Sequence, residues 1–351
     1  MRLLARTLRG LEDVAAREID EFGFGRVEHS RHREVWFTTD RPDPRLSDLR
    51  TVDDLFLLAE VIEGVGHTKT DLARLVDAAR ASDSNELLWC RSRCGGSDTT
   101  TSVDVAASFL GKRNYNRYDI EDAVGTELAE AVGLPYYSRR EGSAPPEGSS
   151  SFRVTIEGTQ AVLALRIRDR PLHRRRYKQA STPGTLHPPM AAAMALLAGA
   201  SPGDTMLDPC CGTGTILIEA ADLGLGTRLL GVDHDRNALE AATANAALMG
   251  TAATWLLADA GRLPVDSGRV DRIVSNPPWN RQVPAHGSLT AHPDRFFTEI
   301  RRILSATGQA VLLLHDVEEQ CSVAKASGLQ VHDIRRLSLF GTHPSVVTFT
   351  R

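Results

Sequence analysis

With 351 residues, 42% of them hydrophobic and 25% charged, the chain is long enough for two or three domains with buried cores of their own. That ordinary composition excludes a collagenous, disordered or disulfide-scaffold protein, and no apolar run approaches the roughly 18 residues of a membrane span. The net charge of −4 excludes a uniformly basic nucleic-acid binder, yet the charge is uneven: residues 1–86 carry −5, 87–178 carry +4 and 179–351 carry −3. Five cysteines (Cys90, Cys94, Cys210, Cys211, Cys321) are an odd number, which argues against a disulfide framework. Cys90 and Cys94 find no second pair or histidine cluster, so no metal is expected. Arginines at 2, 6 and 9 interrupt the first ten residues, which lack a secretion signal's apolar centre. The expectation is a soluble, cytoplasmic protein with no membrane contact and no stable protein partner.

Residues 10–23 place Leu11, Val14, Ala15, Ile19 and Phe22 on one face at helical spacing. Val35-Trp36-Phe37-Thr38 reads as a short strand before a turn-rich Asp40-Arg41-Pro42-Asp43-Pro44. An apolar run covers 55–62, an amphipathic helix 71–80, and strand-like stretches 86–90 and 102–109. The polar loop 110–118 leads to Asp119, expected to cap a helix that reaches about Val132. A flexible loop at 141–151 precedes two β-rich segments, 152–157 and 161–168. Residues 166–178 then hold seven basic groups against one acid and run into Ser181-Thr182-Pro183-Gly184, where the main domain boundary is placed.

From Thr205 onward strands and helices alternate strictly, with strands expected near 205–208, 228–232, 254–257, 270–275, 309–315, 329–337 and 345–350. This is the pattern of a doubly wound α/β sheet, whose ligands belong at the carboxyl ends of the strands. The first strand ends in Asp208-Pro209-Cys210-Cys211-Gly212-Thr213-Gly214-Thr215, and a helix opens at once. A dinucleotide fingerprint would want a third small residue at 217, where this chain has Leu217. Nineteen residues past Gly214, the second strand ends in Asp233, an ionised acceptor suited to a ribose diol or, equally, to a helix cap. Asp259-Ala260 follows the third strand and Ser275-Asn276-Pro277-Pro278-Trp279 the fourth. Four polar side chains at four successive strand tips are far more specific than any one of them.

The run from Asp208 through Asp233, Asp259 and Asn276-Pro277-Pro278-Trp279 resembles the class I S-adenosylmethionine-dependent methyltransferases. Upstream, Pro171-Leu172-His173-Arg174-Arg175-Arg176-Tyr177 and His187-Pro188-Pro189-Met190 resemble the segment joining THUMP and methyltransferase domains in tRNA guanine-N2 methyltransferases. Arg9-Gly10-Leu11-Glu12 is similar to the start of their ferredoxin-like domain. The resemblance implies a ferredoxin-like domain at 1–65, a THUMP-like RNA-binding domain at 66–170, a linker at 171–184 and a Rossmann-like, seven-stranded methyltransferase domain at 185–351. The cofactor it implies is S-adenosyl-L-methionine, held by Pro188, Asp208, Cys210, Gly212, Thr213, Gly214, Thr215, Asp233, His234, Asp259, Ala260 and Asn276. The substrate it implies is tRNA.

For the transfer itself, the Asn276 side-chain oxygen and the Pro277 carbonyl would each accept one proton of a guanine amine. Pro278 would fix the backbone and Trp279 would stack on the base. For RNA, Lys112, Arg113, Tyr115 and Arg117 interleave cations with aromatics, and Arg174, Arg175 and Arg176 form a second basic cluster. A solvated loop and an edge strand kept soluble by arginines explain the same residues without RNA. The competing functions are a protein glutamine N5-methyltransferase, another nucleic-acid or small-molecule N-methyltransferase, and a catalytically silent RNA-binding protein.

Overall fold

The computed structural model describes residues 1–142, 144–182, 184–278, 293–339 and 341–351. It divides into two units, one of Met1–Arg6 with Ala16–Leu172, the other of Thr7–Ala15 with His173–Arg351.

The first unit is built on β1 (Arg2–Arg6), β2 (Arg26–Arg31), β3 (Glu34–Thr38), β4 (Asp54–Ile62), β5 (Ser102–Phe109), β6 (Ser149–Glu157) and β7 (Gln160–Arg166), in the sheet order β2-β3-β1-β4-β7-β6-β5. Only β5 and β6 run parallel; the other neighbours are antiparallel. The interior strand β1 buries Leu3, Leu4 and Ala5. Because β4 pairs with β7 from Phe56↔Arg166 to Ile62↔Ala161, one sheet runs across the expected division at residue 65. Helices α1 (Glu12–Glu21), α2 (Leu72–Ala81), α3 (Ser84–Arg93) and α4 (Arg117–Val132) complete this part of the chain.

Two local expectations are corrected. Residues 86–90 are helical, inside α3, because Asp83 caps it by accepting from the Glu86 backbone N–H at 3.0 Å. A five-residue apolar stretch carries too little periodicity to tell strand from helix. The helix expected to be capped by Asp119 is capped three residues earlier, by Asn116, and Asp119 answers by accepting from the Asn116 N–H at 3.0 Å, a reciprocal capping box.

The second unit holds β8 (Thr205–Asp208), β9 (Arg228–Asp233), β10 (Ala253–Leu257), β11 (Val270–Ser275), β12 (Leu304–Leu314), β13 (Gln330–Arg336) and β14 (Ser345–Thr350), in the order β10-β9-β8-β11-β12-β14-β13. The five strands β10 to β12 are mutually parallel, and β14 lies antiparallel between β12 and β13. Its helices are α5 (Pro188–Leu197), α6 (Thr215–Asp222), α7 (Arg236–Met249), α8 (Pro293–Ile303) and α9 (Val317–Ala326). The alanine-rich α5 is buried from Pro188 to Leu196 on every side, as expected of a helix apolar all round. No described helix is long and apolar enough to cross a membrane.

Residues 7–15, expected in the N-terminal domain, belong to this second unit. Leu8, Leu11 and Val14 join the core formed by α5, Leu337 and Leu339, and Asp13 pairs with Arg335 at 2.5 Å. Gly10 sits at φ +94°, where a Cβ would stand 2.8 Å from the Arg336 carbonyl, so only glycine allows the approach. Helical spacing identifies an apolar face but not the core that receives it.

Candidate active site

The sheet order reverses between β8 and β11, and this switch point fixes where a ligand can lie. Asp208 ends β8, Asp233 ends β9, Asp259 follows β10 and Asn276 follows β11, so adjacent parallel strands bring all four to one edge. Asp208 is wholly buried. It accepts from the Ser275 hydroxyl at 2.7 Å and the Cys210 N–H at 3.0 Å, tying the tips of β8 and β11 together. Burial pushes its carboxyl up to about 7 despite those two bonds, with the nearby Asp233 adding to the rise.

The turn after β8 depends on backbone freedom at two glycines. Gly212 has φ +52° and Gly214 φ +79°. A Cβ on Gly214 would stand 2.8 Å from the Trp255 ring, and one on Gly231 in β9 only 2.3 Å from it, so both glycines admit the indole. At Gly212 the added Cβ would meet nothing within 4 Å, which leaves that side of the turn open. Asp233 spans the turn from the neighbouring strand, accepting from the Gly212 N–H at 2.8 Å and the Asp235 N–H at 3.0 Å. Each carboxylate oxygen keeps acceptor capacity beyond these bonds. The exposed His234 approaches the same carboxylate at 3.3 Å.

The remaining expected residues are placed as follows. Thr213 and Thr215 are buried at the opening of α6, and Leu217 is fully buried in the core, where a dinucleotide site would need a small residue. The thiols of Cys210 and Cys211 are pushed well up by burial and by Asp208, which keeps them protonated. Asp259 accepts from the Gly261 N–H at 2.7 Å and Ala260 is buried. Pro188 opens α5 as its first residue. Asn276 is half-buried and its Nδ2 donates to the Gly184 carbonyl at 3.4 Å; Pro277 is buried and Pro278 half-buried. Trp279 lies outside the described residues.

Residues unremarked in the sequence support the site. Asn245 of α7, 1% exposed, donates to the Thr213 carbonyl at 3.2 Å and exchanges bonds with both backbone groups of Ala180. Its signal was a lone amide in the alanine-rich run 241–247. Glu219 of α6 is wholly buried and receives Arg175 at 3.0 Å and the Tyr177 hydroxyl at 2.6 Å.

The basic clusters divide. Arg175 is turned inward on Glu219 and is no surface contact, while Arg174 and Arg176 on either side are exposed. In the first unit, Arg113 donates to the carbonyls of Val65, Gly66 and Gly158, and Tyr115, 4% exposed, donates to Gly66 at 2.8 Å. Both brace loops, because buried carbonyls need donors. Lys112 and Arg117 are exposed, the latter over the Tyr118 ring at 4.5 Å.

Residues 175–345 match the family described as UPF0020, RMKL-like, methyltransferase domain. The chain is 35% identical to a tRNA (guanine(6)-N2)-methyltransferase of Thermus thermophilus, over 50% of this chain and 51% of that protein. It therefore aligns with about half the length of that relative. It is 22% identical to the tRNA (guanine(6)-N2)-methyltransferase of Archaeoglobus fulgidus, over 99% of this chain and 92% of that protein. The crystal structure of TrmN from Thermus thermophilus superposes with a TM-score of 0.79 at 28% identity, covering 100% of this chain and 99% of that one. The open side of Gly212 and the acceptors of Asp233 fit an adenosyl cofactor, while Leu217 leaves no room for close packing beside a pyrophosphate. That turn and those strand tips lie within residues 175–345, the part similar to the RMKL-like methyltransferase domain, and the fold of the whole chain is similar to that of TrmN.

Proposed function

We propose that this protein methylates the exocyclic N2 amine of a guanosine in tRNA, at position 6 as the names of its relatives state. The observation that carries the reading is the placement of Asn276-Pro277-Pro278 at the tip of β11, beside the switch point and next to Asp208. When bound, the cofactor supplies a methyl group on a positively charged sulfonium. Asp233 would accept from its ribose hydroxyls and Asp259, with Ala260, would meet its adenine edge.

A guanine amine is a poor nucleophile because its lone pair is delocalised into the ring. The bond from Asn276 Nδ2 to Gly184 fixes the amide so that Oδ1 is the atom left to accept from the substrate. The Pro277 carbonyl accepts a hydrogen bond from the second amine N–H, and the lone pair is thereby aimed at the methyl group. Positioning, rather than a strong base, supplies the rate. Trp279 is assigned to stack on the base, which has to leave its own stack to reach the pocket. The exposed Lys112, Arg117, Arg174 and Arg176 are assigned to RNA phosphates, in keeping with a THUMP-like role for the first unit.

Incubation with labelled S-adenosylmethionine and unmodified tRNA, followed by nuclease digestion, tests the reading. N2-methylguanosine mapping to position 6 is expected. Label on another base, or in a protein extract and absent from tRNA, would refute it.

A further inference from the structure

The first unit contains a cleft of about 380 Å³ walled by β5, β6, the start of α4 and the loop after that helix. Three arginines, Arg117, Arg139 and Arg153, share its lining with one acid, Glu121. Arg139 is already matched: it pairs with the fully buried Asp104, which also accepts from Ser149 and Ser151. Arg117 is exposed, and its charge stands in solvent.

Arg153 is the unusual member. Its electrostatic neighbours Arg6 and Arg166 each have a carboxylate, Glu34 at 3.2 Å and Asp54 at 2.7 Å. Arg153 pairs with no carboxylate among the described residues; it donates to the Ser108 hydroxyl at 3.1 Å, and its buried Nε makes no hydrogen bond. Burial, reinforced by the two neighbouring guanidiniums and opposed by Asp54 and Glu34, lowers it to about 10. The carboxylates nearest Arg153 are thus engaged in ion pairs with other arginines, which leaves this largely buried guanidinium able to take a counter-ion from outside the protein.

Glu121 does not provide that charge. Its Oε1 accepts from the Ala107 N–H at 2.9 Å, its Oε2 is buried without a partner, and burial pushes the carboxyl up.

We propose that this cleft binds a phosphomonoester, with Arg153 as the half-buried anchor and Arg117 and Arg139 at its sides. Arg139 is in an ion pair with Asp104 whereas Arg153 and Arg117 are in none among the described residues, and a terminal phosphate offers those two guanidiniums more free oxygens than a backbone diester does. The planar guanidinium fork suits phosphate oxygens. The phosphate can be free, or the 5′ end of an RNA; only the second source rests on the function proposed above.

Calorimetric titration of the full chain at low salt tests the site, first with inorganic phosphate, then with one short RNA carrying either a 5′-phosphate or a 5′-hydroxyl. Phosphate is expected to bind, and Arg153→Met to weaken it about tenfold or more, with a smaller loss in the exposed-site variant Arg117→Met. Tighter binding of the phosphorylated RNA, lost in Arg153→Met, supports an RNA end as the source. Phosphate binding without discrimination between the RNAs supports the site with a small phosphate as its ligand. No phosphate binding by the unaltered chain, or equal binding by both variants, overturns the proposal. Thermal unfolding in phosphate-free buffer checks folding, and Arg153→Met should be at least as stable as the parent. Methylation of tRNA without phosphate binding would sink the cleft alone; phosphate binding without methylation would sink the proposed function alone.

Discussion

In the second unit the polar side chains that matter stand where four parallel strands end, whereas in the first Arg113 and Tyr115 of the 110–118 loop turn back onto the unit's own backbone. The difference is topological. A parallel strand buried on both faces has to stop at a polar residue near the sheet edge, and neighbouring strands bring such residues together. A surface loop has no comparable constraint, so a basic residue there can serve a carbonyl as readily as a ligand. Arg113 and Lys112 are adjacent, yet one is held by three carbonyls and the other faces solvent.

The largest expected effect lies at the strand tips. Asn276→Ala should lower kcat/KM for methyl transfer by about 10²–10³-fold, the scale seen when one preorganised polar group is removed from a transition state. Cofactor affinity measured by calorimetry should change little, and near-normal turnover would break the assignment of the β11 tip.

Asp208→Asn sharpens the same region through pH. The carboxyl titrates at about 7 in the folded chain and near 3.9 when unfolded. The folded state therefore holds an extra proton between those values, and its contribution, full below about pH 4, is lost as pH rises through 7. Asparagine keeps the acceptor for Ser275 and Cys210 without a titration. Urea unfolding should show the variant gaining on the parent from pH 4 to 7; a pH-independent difference would contradict the burial argument.

Arg113→Met tests the loop and should cost about 1–2 kcal/mol of stability, the loss of charged hydrogen bonds to partly buried carbonyls. Lys112→Met should cost less than about 0.5 kcal/mol but weaken RNA binding a few-fold, with the salt slope falling by about one. Equal stability losses in the two variants would erase the contrast between them.

The strands of the second unit were legible because each combines a short apolar run with a polar terminus and a following helix. Those of the first were less so. Strand β1 is the five-residue Arg-Leu-Leu-Ala-Arg, too brief for periodicity, and β2 is a half-exposed edge strand, Arg-Val-Glu-His-Ser-Arg, with no apolar face to announce it. Asn245 and Glu219 were invisible as site supports, since their partners Thr213, Ala180 and Arg175 lie 32, 65 and 44 residues away in the chain.

By itself, the sequence determined the glycine turn, the four strand-tip residues and the alternation that places them, because those features are local and repeat with each strand. Tertiary structure alone decided which basic residues are exposed, that residues 7–15 pack into the second unit's core, and that Arg153 lines a cleft with no ion pair among the described residues. Pairing, burial and charge compensation join residues distant in the chain, and no spacing along it records them.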